Sequence, residues 1–392
     1  MNDFTFHAPT KVVFGKDVEN QVGQLCKEQG ATKVLVHFGG QSAKKSGLLD
    51  RVCASLDAVG IPFVTLGGVK PNPRLSLVYE GIELCRKENV DFLLPVGGGS
   101  VIDSAKAIGY GLANDFDVWD LYDRKNTAKA CAPIGAVLTI AAAGSEMSDS
   151  SVITKEEGGI KRGYNSDLCR CRFALMNPEL TYTLPAYQTA CGAADIMMHV
   201  MERYFVQDDT LELTDGMAEA LIRTVMHNAP LALKDPENYK ARAEIMWASS
   251  LAHNNLMACG GPRGDWACHQ LEHELGGMFD VAHGAGLAAV WGSWARYVYK
   301  DKPERFAKFA QNIFGIAAGA AEETAVKGIE AMEDFYRSIG MPVSIHELGY
   351  DLTDEQIATL AEKCCFGGRT IGLFKILRQE DIREIYRVAK GC

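Results

Sequence analysis

Five side chains between residues 195 and 283 are of the types that bind divalent metal ions. Asp195 and His199 are four residues apart, His269 and His273 repeat that spacing, and His283 follows ten residues later. On a helix, residues four apart lie on the same face with their β-carbons about 5–6 Å apart, so each pair could contact one ion. One carboxylate with three of these four imidazoles suits Zn²⁺ or Fe²⁺ and leaves a coordination position for a substrate oxygen.

His283 constrains the shape of the segment that would carry these ligands. A straight helix from His269 to His283 would separate the two residues by about 21 Å, at roughly 1.5 Å per residue. Two ligands of one ion cannot lie so far apart, so the chain must turn between them, and we expect Gly276-Gly277, Gly284 and Gly286 to supply the break. The other histidines lack such a context and are expected to be structural or exposed, namely His7, His37, His227, His253 and His346.

A glycine-rich turn in the first half of the sequence has the features of a phosphate-binding site. Gly97-Gly98-Gly99-Ser100 follows an apolar, strand-like run and precedes a helical pattern. Glycine lets the backbone approach a ligand closely, and a helix N-terminus presents N–H groups at the positive end of its dipole. The turn suits a pyrophosphate, although its spacing is not that of the common G-x-G-x-x-G motif, and such a turn is often purely structural.

A second turn, Gly39-Gly40-Gln41-Ser42-Ala43-Lys44-Lys45, bears on which dinucleotide would bind. An acidic residue at such a strand end would contact the 2′-hydroxyl of the NAD ribose, and none is present. The small residues leave room for a 2′-phosphate, which Ser42, Lys44 and Lys45 could contact. The turn favours NADP over NAD. The alternative is that the two lysines form only a solvated first turn of helix.

The composition excludes several classes of protein. The 392 residues are 47% hydrophobic and 23% charged, an ordinary globular mixture long enough for two domains. The net charge of −10 argues against nucleic-acid partners and against docking on anionic membranes. The sequence shows no apolar run of membrane-spanning length and no signal peptide at its start, so we expect a cytoplasmic protein without a membrane partner.

The segments that must position these residues differ between the two halves of the chain. Strand-like runs at residues 33–38, 61–66, 91–96 and 134–140 alternate with amphipathic stretches such as 48–59 and 75–88. This alternation predicts an α/β, Rossmann-like dinucleotide-binding domain with a mostly parallel sheet over residues 1–184. From Pro185, which suits a helix start, helical periodicity dominates and predicts an all-α metal-binding domain over residues 185–392.

The chain resembles the iron-containing (group III) alcohol dehydrogenases over essentially its whole length. It is most similar to their butanol dehydrogenase and broad-specificity aldehyde reductase branch, and this resemblance implies a dehydroquinate synthase-like architecture. The motifs that carry it are Val69-Lys70-Pro71-Asn72-Pro73, Gly97-Gly98-Gly99-Ser100-Val101-Ile102-Asp103, Gly144-Ser145-Glu146, Asp195-x-x-x-His199 and Asp265-Trp266-Ala267-Cys268-His269-Gln270-Leu271-Glu272-His273-Glu274-Leu275.

The resemblance implies a role for each candidate residue. Asp195, His199, His269 and His283 would bind Fe²⁺ or Zn²⁺, and His273 would lie near the nicotinamide as a proton relay or as a packing residue. The implied cofactor contacts are Gly39, Gly40, Ser42, Asn72, Gly98, Gly99, Ser100, Asp103, Thr139, Ser148 and Lys161.

The activity implied by the resemblance is interconversion of short-chain primary alcohols and aldehydes by a homodimer. The cofactor would be NADP, with NAD as the alternative. Three other functions stay open: a glycerol dehydrogenase-like polyol oxidoreductase, a dehydroquinate synthase-like lyase that uses NAD transiently, and a catalytically inactive metal-binding assembly protein.

Overall fold

The computed structural model describes residues 1–208 and 211–391, which fall into two compact units. One unit is His7–Leu184, and the other joins Met1–Phe6 to Pro185–Cys392. The first six residues, expected in the first domain, belong to the second unit, where the Asn2 N–H donates to the Gly260 carbonyl at 2.7 Å. None of the helices in residues 1–208 and 211–391 combines the length and the hydropathy of a membrane-spanning segment.

The unit His7–Leu184 is built on a six-stranded parallel sheet and a separate two-stranded antiparallel hairpin. Its strands are β1 (Lys11–Phe14), β2 (Val34–Phe38), β3 (Phe63–Leu66), β4 (Phe92–Gly97), β5 (Gly135–Leu138), β6 (Ser150–Lys155), β7 (Ile160–Asn165) and β8 (Phe173–Met176). Its helices are α1 (Val22–Glu28), α2 (Ser42–Lys45), α3 (Leu48–Ala58), α4 (Leu75–Glu88), α5 (Gly99–Ala113) and α6 (Trp119–Tyr122). The strand order in the sheet is β1-β8-β5-β4-β2-β3, and β6 pairs with β7.

The apolar runs of the sequence form the centre of this sheet. Every residue of β2 and β4 is buried, as expected for parallel strands that are covered on both faces. Val36 of β2 and Leu94 of β4 share one hydrophobic cluster with Val52 and Leu56 of α3. The four predicted strands are confirmed as β2, β3, β4 and β5, each within two residues of its expected ends.

The second unit is helical, which confirms the predicted change of architecture after Pro185. Its helices are α7 (Ala186–Tyr204), α8 (Glu212–Lys234), α9 (Tyr239–His253), α10 (Ala267–Phe279), α11 (His283–Val298), α12 (Pro303–Phe314), α13 (Ala321–Ser338), α14 (Asp354–Cys364) and α15 (Gln379–Lys390). Helix α11 packs against both α7 and α10, so the three helices that carry the candidate metal ligands are neighbours. Trp291 and Trp294 of α11 are fully buried in the core of this unit.

The chain does turn between His269 and His283, but at a different place from the one expected. Helix α10 ends at Phe279 and α11 begins at His283, and between them Asp280 adopts a left-handed conformation with φ 56°. Gly276-Gly277 lies inside α10, so its assignment to the break was wrong. A glycine weakens a helix by about 1 kcal/mol but leaves its hydrogen-bonding groups in place.

Candidate metal centre and cofactor turns

Three imidazoles converge on the carboxylate of Asp195. Its Oδ1 lies 3.0 Å from Nδ1 of His199, 3.8 Å from Nε2 of His269 and 3.7 Å from Nε2 of His283. One ligand atom from each of Asp195, His199 and His269 lies within 4.8 Å of the other two. The structure therefore brings together the four residues that the sequence predicts as metal ligands.

Three helices position these side chains. Asp195 and His199 lie one turn apart on α7, His269 lies in the first turn of α10, and His283 is the first residue of α11. Gly284 permits the close approach of α11 to α7, because a Cβ at this position would lie 2.0 Å from the carbonyl oxygen of Cys191. The absence of a side chain at residue 284 thus lets His283 reach Asp195.

Two buried atoms at this point lack a hydrogen-bond partner. Within the described residues, no group forms a hydrogen bond with Oδ1 of Asp195 or Nε2 of His269. The approach of His199 Nδ1 to Oδ1 is a contact only, because Nδ1 donates to the backbone carbonyl of Asp195, also at 3.0 Å. Leaving buried polar atoms unpaired costs about 1–3 kcal/mol each. A divalent cation would satisfy both atoms, and one carboxylate with three imidazoles fits Zn²⁺ or Fe²⁺.

Two buried glutamates orient two of the imidazoles, and neither was predicted as part of the site. Nδ1 of His269 donates to Oε1 of Glu202 at 3.1 Å, and Nδ1 of His283 donates to the carboxylate of Glu272. In both histidines, Nδ1 bonds a carboxylate while Nε2 lies on the side of Asp195. Proteins commonly fix metal-binding histidines in this way.

The electrostatic environment holds Asp195 and His199 in their metal-binding forms, whereas it holds His269 protonated. Burial opposes ionisation of Asp195, but His199 and His283 outweigh it and keep the pKa of the carboxyl well below its ordinary value. Burial lowers the pKa of His199 to about 4. Burial would also lower the pKa of His269, but Asp195 and Glu202 outweigh it and raise that pKa to about 9. Binding of a cation would therefore displace a proton from His269.

Two further histidines lie beside this group. His273 is one turn after His269 on α10, and its ring centroid lies 6.5 Å from that of His269 and 6.0 Å from that of His283. His253, which was expected to be structural or exposed, is buried, with its ring centroid 4.0 Å from that of His199. The spacing of residues in the sequence does not predict that His253 lies beside His199.

The other histidines lie as predicted. His37 is buried in β2, where Nδ1 donates to the Leu66 carbonyl at 2.8 Å and Nε2 lies 2.9 Å from the Ser104 hydroxyl. The three remaining histidines are exposed, namely His7, His227 and His346.

The glycine turns lie at one edge of the parallel sheet. β2 is followed by Gly39 and Gly40, and β4 leads through Gly98 into α5. These neighbouring strands are parallel, and their connections run in opposite directions, from β2 outward to β3 and from β4 to β5. Such a switch point, at the carboxyl ends of the strands, is where open α/β sheets bind nucleotides. Thr139, which follows β5, lies at the same edge, and its N–H donates to the Gly97 carbonyl at 3.1 Å.

Protein contacts already engage several of the residues predicted to bind the cofactor. Asp103 accepts the Ser145 hydroxyl at 2.5 Å through Oδ1 and the Val152 N–H at 2.9 Å through Oδ2. The Ser148 hydroxyl accepts the ammonium group of buried Lys106 at 3.1 Å. These bonds fix the segment that follows β5, and Lys106 is a structural cation that the sequence motifs did not reveal.

The other residues predicted to bind the cofactor lie at helix starts, in a turn or on the hairpin. A Cβ on Gly98 or Gly99 would press against Ile140 or Ala143, so packing also requires small residues there. The remaining four are Ser42, Ser100, Asn72 and Lys161. Ser42 is the first residue of α2, and Ser100 lies in the first turn of α5. Asn72 is buried with φ 53°, and Lys161 is buried on β7. Cofactor contact by any of these residues stays a prediction.

Comparison with known proteins gives the same family for both halves of the chain. Residues 9–178 match the family described as iron-containing alcohol dehydrogenase, and residues 189–390 match the C-terminal part of the Fe-containing alcohol dehydrogenase family. These matches confirm the resemblance that the sequence motifs indicate.

Individual relatives match this chain along its full length. The chain is 40% identical over 391 residues to the probable NADH-dependent butanol dehydrogenase 1 of Bacillus subtilis, covering 99% of this chain and 100% of that protein. It is 34% identical to the NADPH-dependent aldehyde reductase YqhD of Escherichia coli, covering 100% of both chains. The crystal structure of NADH-dependent butanol dehydrogenase A from Thermotoga maritima is 40% identical, with a TM-score of 0.96 over 99% of each chain. The chain therefore belongs to the iron-containing alcohol dehydrogenase family.

Proposed function

We propose that this chain is a metal-dependent alcohol dehydrogenase and aldehyde reductase that interconverts short-chain primary alcohols and aldehydes, butanol and butyraldehyde among them. The observation that carries the proposal is the convergence of His199, His269 and His283 on Oδ1 of Asp195. Membership of the family supports the reaction class, and relatives named butanol dehydrogenase and aldehyde reductase support the substrate class.

In this proposal the converging residues hold one divalent cation, Fe²⁺ or Zn²⁺. Bound there, the cation supplies a Lewis acid for the substrate oxygen, and a nicotinamide supplies or accepts the hydride. Glu202 and Glu272 keep the rings of His269 and His283 turned toward Asp195. His273, next to these two imidazoles on α10, passes a proton between the substrate oxygen and solvent.

A preference for NADP(H) is supported by the turn after β2. No acidic residue occurs between Phe38 and Lys45, and Lys44 and Lys45 lie in the short helix α2. A Cβ at Gly40 would meet no atom of the described residues within 4 Å, so packing does not require a glycine there. This open space suits a ligand that carries a 2′-phosphate. Relatives are named for NADH as well as for NADPH, so both cofactors must be measured.

The decisive experiment is a reductase assay on protein purified without oxygen and loaded with Fe²⁺ or Zn²⁺. Butyraldehyde is supplied with NADPH or NADH, and loss of the reduced nicotinamide absorbance is followed. We expect aldehyde-dependent oxidation with a higher kcat/KM for NADPH. Faster oxidation of glycerol than of butanol would favour the polyol alternative. No turnover with either metal, either cofactor and a panel of short aldehydes would contradict the proposal.

We further propose that the protein works as a cytoplasmic homodimer without nucleic-acid or membrane partners. Light scattering on the metal-loaded protein is expected to give a mass of two chains. A monomeric mass at assay concentration would contradict this part of the proposal and leave the proposed chemistry unaffected.

A further inference from the structure

His199 differs from the other two converging imidazoles in how its ring is held. His269 and His283 each donate from Nδ1 to a buried glutamate. Among the described residues, no glutamate forms a hydrogen bond with His199, whose Nδ1 donates to the backbone carbonyl of Asp195 instead. A single bond to the preceding turn of the same helix leaves rotation of the ring about its Cβ–Cγ bond weakly restrained, because that torsion is intrinsically soft.

His253 supplies the missing restraint from another helix. It is the last residue of α9, and its ring lies edge-to-face with that of His199, with centroids 4.0 Å apart and planes at 83°. This separation is shorter than the 4.6 Å between the ring centroids of His199 and His269. A rigid, flat neighbour this close blocks rotation of the His199 ring, and edge-to-face pairs of aromatic rings are worth about 0.5–1.5 kcal/mol.

Trp266 encloses the same pair of rings. Its ring centroid lies 5.9 Å from that of His253 and 6.1 Å from that of His199. The Arg203 guanidinium lies 4.5 Å from the Trp266 ring centroid, and the same side chain donates to the His199 carbonyl at 2.8 Å. His199 is therefore held on both its ring and its main chain by groups outside the set of converging ligand atoms.

His253 does not contribute a ligand atom itself. Nitrogens of His199, His269 and His283 lie within 3.8 Å of Oδ1 of Asp195, and among the described residues no nitrogen of His253 forms such a contact with that carboxylate. His253 also weakens the fold locally, because its Nδ1 is buried and has no hydrogen-bond partner in the described part of the chain. Such an atom costs about 1–3 kcal/mol, which an aliphatic side chain of similar size would avoid. Stability alone therefore does not account for a histidine at this position.

We propose that His253 is a positioning residue of the metal centre, whose ring sets the orientation of the His199 imidazole and thereby the affinity and geometry of cation binding. This inference rests on the proposed metal site. In this proposal His253 orients the imidazole of His199, as Glu202 and Glu272 orient those of His269 and His283. A flat ring is required at this position, whereas the nitrogen atoms of His253 are not.

The test is cobalt binding to the metal-free full-length protein, because the visible spectrum of Co²⁺ reports the arrangement of its ligands. His253→Leu and His253→Gln both remove the flat ring, and only the second keeps a polar end. We expect both variants to bind Co²⁺ about 10–100-fold more weakly, as is typical when a group that orients a metal ligand is lost, and to shift its visible bands. Urea unfolding of the metal-free proteins should show His253→Leu to be at least as stable as the parent.

Control proteins distinguish a failure of the role proposed for His253 from a failure of the proposed metal site. His227→Leu makes the same change at an exposed histidine of the same unit and should leave affinity and spectrum unchanged. If the parent fails to bind Co²⁺, or if His269→Ala binds it as tightly as the parent, the proposed metal site is wrong. If the parent binds Co²⁺ and either folded His253 variant matches it in affinity and spectrum, the metal site stands and the role of His253 is refuted.

Discussion

Glu202 contacts His269 twice through a single carboxylate oxygen. Its Oε1 accepts the backbone N–H of His269 at 2.9 Å and the Nδ1–H of the imidazole at 3.1 Å. One atom of α7 therefore fixes both the main chain at the start of α10 and the direction of the ring that this helix carries. The arrangement couples the placement of α10 to the chemistry of the proposed metal site.

Glu202→Gln should weaken metal binding. Glutamine keeps the size of the side chain but removes the charge that holds the imidazole, so we expect a loss of about 10–100-fold in affinity. Competition with a chelator of known affinity measures the effect. Glu330→Gln makes the same change at an exposed glutamate of α13 and should have no effect. Equal affinities in all three proteins would show that Glu202 does not orient His269.

His269→Ala and His273→Ala should separate metal binding from proton transfer. The first substitution removes a converging ligand and should abolish both bound metal and turnover. The second removes a residue outside the group of ligand atoms, so the metal should remain while kcat falls by about 10²–10⁴-fold. Metal analysis of both proteins, together with kcat for butyraldehyde, checks the pair. Loss of metal from His273→Ala would contradict the division of roles.

Gly40→Asp should shift cofactor use from NADPH toward NADH. The new carboxylate would occupy open space after β2, where it repels a 2′-phosphate and can accept a ribose hydroxyl. Because the carboxylate and the 2′-phosphate would repel each other at close range in a partly exposed site, we expect kcat/KM for NADPH to fall on the order of 10-fold or more. Gly40→Asn is the uncharged control. A parallel loss for both cofactors in the aspartate variant would place the 2′-phosphate elsewhere.

Gly284→Ala should loosen the contact between α7 and α11. The added methyl group would lie 2.0 Å from the Cys191 carbonyl oxygen, so the helices must separate, at a cost of about 1–3 kcal/mol. His283 would move away from Asp195, and metal affinity should fall as well. Urea unfolding and chelator competition report the two effects. Gly216→Ala, at an exposed position of α8 where the methyl meets open space, should instead stabilise by up to about 1 kcal/mol.

His37 should make the unit His7–Leu184 sensitive to acid. Burial lowers the pKa of His37 to about 4, so the folded chain keeps this ring neutral while the unfolded chain binds a proton below its ordinary pKa of 6.5. The neutral ring contributes its full stability above pH 6.5, and this contribution is lost as the pH falls toward 4. At pH 5 the loss amounts to about 2 kcal/mol.

His37→Asn tests this expectation, because asparagine keeps a donor for the Leu66 carbonyl and does not titrate. Urea unfolding at pH 7 and pH 5 should show a decline in stability smaller by about 2 kcal/mol in the variant than in the parent. Parallel declines in the two proteins would show that His37 does not carry the effect. Groups common to both proteins cancel in the comparison.

Local pattern was enough to predict the strands that lead into the glycine turns and the helix that carries Asp195 and His199. The apolar runs of β2 and β4 are long and fully buried, and Asp195 and His199 lie on a helix that is periodic over five turns. Strands β1 and β8 were not predicted, because β1 has no fully buried residue and β8 directly follows Arg172, so neither forms a bounded apolar run in the sequence. They are defined by pairing with each other and with β5, which is a long-range property.

The groups that surround the ligands could not be predicted for a related reason. Glu202 is one turn after His199, and this local spacing was available from the sequence. Its contact with His269, 67 residues away, depends on how α7 and α10 pack. His253 is the last residue of α9, and no residue of a metal-binding type (Asp, Glu, His or Cys) lies three or four positions away from it in the sequence. The break at Asp280 was missed because a non-glycine residue occupies the left-handed conformation, whereas the two glycines nearby remain helical.

Residues 1–6 belong to the helical unit although they precede the sheet unit in the chain, and this has a consequence during synthesis on the ribosome. The unit His7–Leu184 is contiguous and can fold as soon as it leaves the exit tunnel. The Asn2 N–H must wait for its acceptor, Gly260, to be translated. At about 5–20 residues per second, that delay is on the order of tens of seconds. During that interval, residues 1–6 of the nascent chain lack the acceptor that holds Asn2 in the folded protein.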